Sequence, residues 1–303
     1  MATIEVGSSI KRLRVQKGIT QANLARNIMD ISTLSRIERG LIMPSKYMIE
    51  ALFSRLGFDP NKIAHFFMTG DDVQFQKIFD EIDTAIGYRK ADELKALIAQ
   101  LEGSERHMEQ SIMRQFAMYA RGTLELIEGF RSAALETLNH AIKITLPDFK
   151  KDLIPDYLLT HLDRRIIITM AVLEKNMGNI EDAVYLYYGI KSNFDNHVVD
   201  RVDFGRNYST VLFNLVICLT ELKRFEEALS MCLECKKICI ETGFGFVLPS
   251  ITCYEAIARH ELKMDGCEEL FKQSYYGCVL FELHKDSEFV KKVAKDRLGL
   301  KLG

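Results

Sequence analysis

Three sets of residues in this chain have the types and spacing to do chemistry. Cys232, Cys235 and Cys239 stand three and four apart, which puts three thiols on one helical face. A zinc site needs a fourth ligand and usually a turn between ligand pairs. No CxxC pair and no adjacent histidine is present, so these thiols read as small apolar side chains packed between helices. Cys218 and Cys253 lie in apolar stretches that keep a thiol protonated and inert. His260-Glu261 reads as helix surface, and no His-Glu-x-x-His, phosphate-cradling glycine loop or nucleophile arrangement occurs. An enzyme is therefore not expected, nor a metal or cofactor. The second set is a pair of amides: Asn207 and Asn214, seven apart on one helix face, are the kind of group that pairs with the backbone of an extended peptide. The third is the outward face of a short helix, where Ser32, Thr33, Ser35, Arg36 and Arg39 precede Gly40.

That short helix belongs to an N-terminal domain expected over residues 1–68. Ile10 and Leu13 mark the inner face of a first helix over Ile4–Gln16, with Ser8 or Ser9 available as a cap and Gly18 as the stop. Thr20 caps a second helix through Leu24, Ala25 and Ile28. A turn near Met29-Asp30 follows, and Asp30 or Ser32 caps the third, whose Leu34 and Ile37 point to the same core. Pro44 and Ser45 open a fourth helix through Met48, Leu52 and Leu56. Arg12, Arg26, Arg39 and Arg55 read as solvated surface.

Thr69-Gly70-Asp71-Asp72 reads as a short hinge, residues 69–72. From 73 to 303 the chain runs in helical pairs, with breaks at Gly87-Tyr88, Gly129-Phe130, Gly178-Asn179 and Lys223-Arg224. After three of these turns a large residue is followed by a small one: Phe130…Ala134, Ile180…Ala183, Phe225…Ala228. The large side chain is expected to plug the turn while alanine lets two helices approach. The spacings of 50 and 45 residues between these turns exceed the ideal 34 of a tetratricopeptide repeat. Pro147 and Pro155 account for one excess, and a polar loop over Ser192–Asp203 with Asn193, Asp195, Asn196 and Asp200 for the other. The fold class is all-α: a small head followed by a degenerate tetratricopeptide-like solenoid, ending in a capping helix over Ser287–Leu298.

Charge divides the same way. Residues 1–70 carry ten Lys/Arg against five Asp/Glu, while residues 71–303 carry thirty against thirty-seven, so the head is the partner for a polyanion and the body is not. No basic-then-apolar leader and no long apolar run is present, which implies a cytoplasmic protein without a membrane partner.

Ile10-Lys11-Arg12-Leu13-Arg14, Lys17-Gly18-Ile19-Thr20-Gln21, Leu24-Ala25, Leu34 to Gly40, and Pro44-Ser45 with Leu52…Leu56-Gly57 resemble the helix-turn-helix domain of the phage lambda repressor and Cro type. The resemblance implies that the helix from Ser32 to Arg39 enters the major groove. It places Ile31, Ser32, Thr33 and Arg36 at the bases, Gln21 on a phosphate, and Ser45 and Lys46 at further backbone contacts. Arg36 would then grip guanine with both edges of its fork, and Ile31 touch a thymine methyl. It also implies an internal ion pair between Arg14 and Glu38.

Head, hinge, repeat body and length together resemble the peptide-pheromone-responsive regulators of Gram-positive bacteria and their phages, the PlcR, Rgg and PrgX group. Closest is the PlcR branch, in the spacing from Thr20-Gln21 to Ser35-Arg36-Ile37-Glu38 and in Leu212-Phe213-Asn214 with Arg224-Phe225-Glu226-Glu227-Ala228-Leu229. The group implies a homodimer that binds a short signalling peptide in the concave face of its body and thereby changes its action at a double-stranded operator, with RNA polymerase a further partner of an activator.

First helices of pairs line that concavity. Asn214 stands eleven residues before Phe225 and matches a peptide-clamping asparagine of the PlcR branch; the same offset before Ile180 gives Thr169, and before Phe130 gives Tyr119. Arg165 and Asn176 flank Thr169, and Tyr254 and Arg259 occupy the next inner helix. The competing reading is an interaction scaffold, or a peptide-independent repressor, whose body binds a protein partner.

Overall fold

The computed structural model describes residues 2–58, 70–103, 111–197, 199 and 204–303, with the side chains of residues 2–5, Lys46 and 70–76 left aside. Those residues are helical, without a strand among them. No helix among them is long and apolar enough to cross a membrane. Two compact units share the chain: Met1–Met177 with Ser192–Asp200, and Gly178–Lys191 with Arg201–Gly303.

The first unit begins with α1 (Ala2–Gln16), α2 (Gln21–Ala25), α3 (Ile31–Glu38) and α4 (Lys46–Arg55). Ile10, Leu24, Leu34, Ile37, Leu52 and Leu56 close one core from these four helices, all wholly buried. Thr20 caps α2 by accepting from Asn23 N at 3.1 Å, and Ser45 caps α4 by accepting from Met48 N at 3.3 Å. Asp30 stands at the cap of α3 without a side-chain bond to it, and Ser8 and Ser9, expected as caps, lie inside α1. Glycine does one further job here. A Cβ on Gly7 would stand 1.9 Å from Ile37 O, so α1 crosses α3 at a distance that only glycine permits.

The unit continues with α5 (Gly70–Gly87), α6 (Ala91–Glu102), α7 (Ser111–Glu128), α8 (Arg131–Thr145), a 3-10 turn over Lys151–Asp156 and α9 (His161–Asn176). Gly70, Asp71 and Asp72, expected in a hinge, are already helical, and Thr69 lies outside the described residues. Phe130 is 61% exposed and plugs nothing; close packing of α7 on α8 comes from buried Ala134 and from Gly122, whose Cβ would meet Leu138 at 2.9 Å. Asn193, expected in a polar loop, is in a helix and wholly buried, donating to Ile154 O and Tyr157 O at 2.9 Å. Its amide holds down the proline-containing connection that periodicity alone left open.

The second unit contains most of α10 (Ile180–Asn196), a π-helical turn over Phe204–Tyr208, α11 (Ser209–Glu221), α12 (Phe225–Thr242), α13 (Leu248–Glu261), α14 (Cys267–Leu280) and α15 (His284–Leu298). Its tight turns share one device. Lys223, Lys263 and Glu282 adopt φ of 59°, 56° and 57°, and the next residue's N–H reaches back to close the preceding helix. Phe225 and α14 then start without side-chain caps, and Glu226-Glu227 and Glu268-Glu269 supply negative charge to the first turns instead. All seven cysteines are free and buried; burial pushes the Cys253 thiol up to about 12.

Candidate nucleic-acid interface and ligand-facing surfaces

Helix α3 divides into two faces. Leu34, Ile37 and Glu38 are buried, whereas Ile31, Ser32, Arg36 and Arg39 are exposed and Thr33 is half-buried. The Arg36 guanidinium has no partner among the described residues, while Arg39 Nε donates to Ser35 O at 3.3 Å. Arg14 grips Glu38 with both edges of its fork, Nε to Oε1 at 2.6 Å and Nη2 to Oε2 at 2.9 Å. Burial pushes the Glu38 carboxyl up, but the hydrogen bonds from Arg14 and Gln21 outweigh it and the net shift is downward. This pair is the structural brace that the resemblance implied.

Gln21 has a second engagement that the motif did not reveal. Its Nε2 donates to Glu38 Oε2 at 2.7 Å, which takes up one of its two amide N–H groups. Ser45 is occupied as the α4 cap, and the Lys46 side chain lies outside the described residues. Exposed Lys11 and Arg12, with Ser8, Val15 and Gln16, line a shallow groove on α1 that ends at Glu38.

The back of the head is built differently. Arg55, expected on a solvated surface, is 5% exposed. Its Nη1 donates to Leu24 O at 3.0 Å and Arg26 O at 2.6 Å, the carbonyls left open where α2 ends, and its Nε to Leu158 O at 3.1 Å. Burial lowers its pKa to about 10. Asn27 Nδ2 donates to Thr145 O at 2.8 Å, and His161 N to Ser54 Oγ at 2.7 Å. Beneath these bonds lies a buried network in which Gln115 Nε2 and Thr145 Oγ1 both donate to Asp163 Oδ1, at 2.7 and 2.6 Å. The other Asp163 oxygen completes a capping box with Thr160. The donors of Gln115 and Thr145 and both oxygens of Asp163 are thus partnered, while Gln115 Oε1 is buried without a hydrogen bond among the described residues. Head and first repeats are therefore one packed body.

In the same unit, Tyr119 is 4% exposed and forms a platform rather than a ligand contact. The Arg165 guanidinium lies 4.8 Å above its ring and donates to both oxygens of Asp83, at 3.0 and 2.6 Å. Thr169 Oγ1 is turned back to Arg165 O at 2.8 Å. Asn176 ends α9 in solvent, its carbonyl accepting from Arg131. Arg165 is thus brought together with Tyr119, and Asn176 is not.

In the second unit, Asn214 is half-buried on α11 and its amide has no hydrogen bond among the described residues. Asn207 lies in the π-helical turn, half-buried. Tyr254 packs edge-on to Phe213 at 5.9 Å and stacks with Phe289 at 6.0 Å, forming an aromatic row across α11, α13 and α15. Phe213 stands in the sequence only as a neighbour of Asn214 in the segment that carries the resemblance, and nothing in the spacing marks Phe289. Arg259 is tied to Glu255 at 2.9 Å, which also receives Lys236 at 2.8 Å, so it is not available as expected.

Residues 5–66 match the helix-turn-helix domain family. No curated protein matches the chain by sequence. Among solved structures, the chain is similar to Bacillus thuringiensis PlcR in complex with the peptide PapR7 and DNA, at 17% identity and a TM-score of 0.62 over 95% of this chain and 99% of that one. The fold is that of PlcR. The apo form of PlcR gives a TM-score of 0.61 at 16% identity over 95% and 98% of the two chains. The Streptococcus dysgalactiae pheromone receptor Rgg2 gives 0.50 at 12% identity over 97% and 100%. The PlcR fold covers head and body alike, as the resemblance in the sequence implied.

Proposed function

We propose that this chain is a cytoplasmic, sequence-specific DNA-binding transcriptional regulator that acts as a homodimer and is controlled by a short peptide bound to its repeat body. The observation that carries the first half is α3: its buried face and Glu38 are locked, while Arg36, unpartnered among the described residues, stands beside exposed Ile31 and Ser32. A side chain held ready on a rigid helix is what base readout needs, with phosphate contacts setting register. The half-buried amide of Asn214, without a hydrogen bond among the described residues, follows Phe213 of the Phe213–Tyr254–Phe289 row and supports the second half, since an extended peptide offers backbone partners and apolar side chains. PlcR with PapR7 and DNA is a precedent in the same fold.

The test is a mobility and footprinting assay on the DNA upstream of the gene, with and without synthetic peptides encoded by neighbouring small reading frames. A protected site with two half-sites about one helical turn apart, or a multiple of that, is expected. Protection that is the same on random DNA would reject sequence-specific regulation. In parallel, Asn214→Ala is expected to keep fold and dimer while losing peptide affinity by calorimetry; unchanged affinity removes Asn214 from the site.

A further inference from the structure

Asp83, Tyr119 and Arg165 come from α5, α7 and α9, and together they hold a carboxylate in a built setting. Tyr119 is buried and fixes the plane of the Arg165 guanidinium by stacking beneath it. The guanidinium presents a two-pronged edge, the geometry that matches any planar carboxylate. In this structure the carboxylate in that place is the protein's own Asp83, whose side chain is 46% exposed.

The Arg165 side chain is only 20% exposed and so needs a carboxylate partner, whereas Asp83 is half in water and can give way to an equivalent carboxylate. Resting on the peptide reading above, we propose that Arg165 is the receptor for a carboxylate of the peptide and that Asp83 is a built-in competitor that the peptide displaces. The carboxylate belongs to an acidic side chain or to the peptide's free C-terminus; the chemistry is the same. The exchange acts on a helix that also contacts the head: Phe79, one turn before Asp83, stacks on Tyr47 of α4 at 5.1 Å and lies 4.0 Å from Phe116. Asp83 therefore sets which ligands enter, and its release is felt by α5.

The experiment immobilises the full-length chain and passes over it a heptapeptide mixture randomised at every position, once with free C-termini and once C-terminally amidated. Retained peptides are quantified by mass spectrometry for wild type, Asp83→Asn and Arg165→Gln, with folding checked by circular dichroism. Removing the competitor is expected to raise retention at least tenfold in Asp83→Asn, and removing the receptor to abolish it in Arg165→Gln. Loss of retention on amidation assigns the C-terminus; retention of amidated peptides enriched in Asp and Glu assigns a side chain. Peptides retained equally by wild type and Asp83→Asn overturn the proposal while leaving the peptide reading intact, and this arm decides alone if Arg165→Gln fails to fold. No retention by either wild type or Asp83→Asn overturns the peptide reading itself, and the proposal with it.

Discussion

Arg36 and Arg55 are arginines on two short helices of the same small head, and they do opposite things. Arg36 projects from α3 into solvent without a partner among the described residues; Arg55 is 5% exposed and commits its fork to three carbonyls. The outward face of the head is thus charge held in reserve, and the inward face is charge fully committed. The difference teaches that the basic surplus of the N-terminal seventy residues is not all available to a polyanion. Part of it joins the head to the body.

The sharpest way to break this comparison is Arg55→Ala. It strands three carbonyls and leaves a void, so a loss of about 3 kcal/mol in urea unfolding is expected. Operator selectivity of the folded fraction is expected to be unchanged, because the hydrogen bonds of Arg55 go to Leu24, Arg26 and Leu158 and not to α3. A stability loss no larger than a surface substitution would show that the head is not latched through it.

Arg36→Ala is expected to do the reverse. Stability by thermal unfolding stays within about 0.5 kcal/mol, typical of an exposed site, while affinity for the cognate operator falls by about 1–3 kcal/mol and selectivity at one base pair relaxes. Equal losses on cognate and random DNA would turn Arg36 into a phosphate contact and erase the contrast with Arg55.

How far these roles were legible differs by residue. The helix pairs, their turns and the Thr20 and Ser45 caps follow from local pattern, since each is set by neighbours in sequence, while the Arg14–Glu38 pair follows from the resemblance to the lambda-repressor type of domain. Arg55 and Asn193 differ from expectation for one reason: their partners lie far off in sequence, 103 residues away for Leu158 and 39 for Ile154, and periodicity carries no record of them. Tyr119 stands at the eleven-residue offset, Arg165 flanks Thr169 at the next one, and Arg259 lies on the following inner helix. The offset places a residue on a helix face and says nothing of whether Asp83 or Glu255 already occupies its hydrogen bonds.

A third test uses pH on the brace behind α3. The folded Glu38 carboxyl titrates below its ordinary 4.5 because Arg14 and Gln21 stabilise the charged form. Between the folded and unfolded values the unfolded chain binds more protons, so the brace contributes fully above about 4.5 and is lost as pH falls through the lower folded value. Glu38→Gln is expected to flatten that acid limb, followed by urea midpoints between pH 3 and 7. An unchanged limb would place the acid-sensitive group elsewhere.

The smallest effect is expected at Gln21, which stands between the two faces. One amide N–H is bound to Glu38, so the residue joins the brace to the face proposed to meet phosphate. Gln21→Ala removes one hydrogen bond to a carboxylate that keeps its two bonds from Arg14. A stability loss near 1 kcal/mol is therefore expected. Operator affinity should fall by a similar factor on every sequence variant, and the salt dependence should stay as it is, because no charge has been removed. Gln21→Glu distinguishes the two roles, since it places a second carboxylate against Glu38 and also repels phosphate. It is expected to cost more than alanine in both measurements. A loss confined to particular operator variants would instead make Gln21 a reader of bases and extend the reserve held by Arg36 into α2.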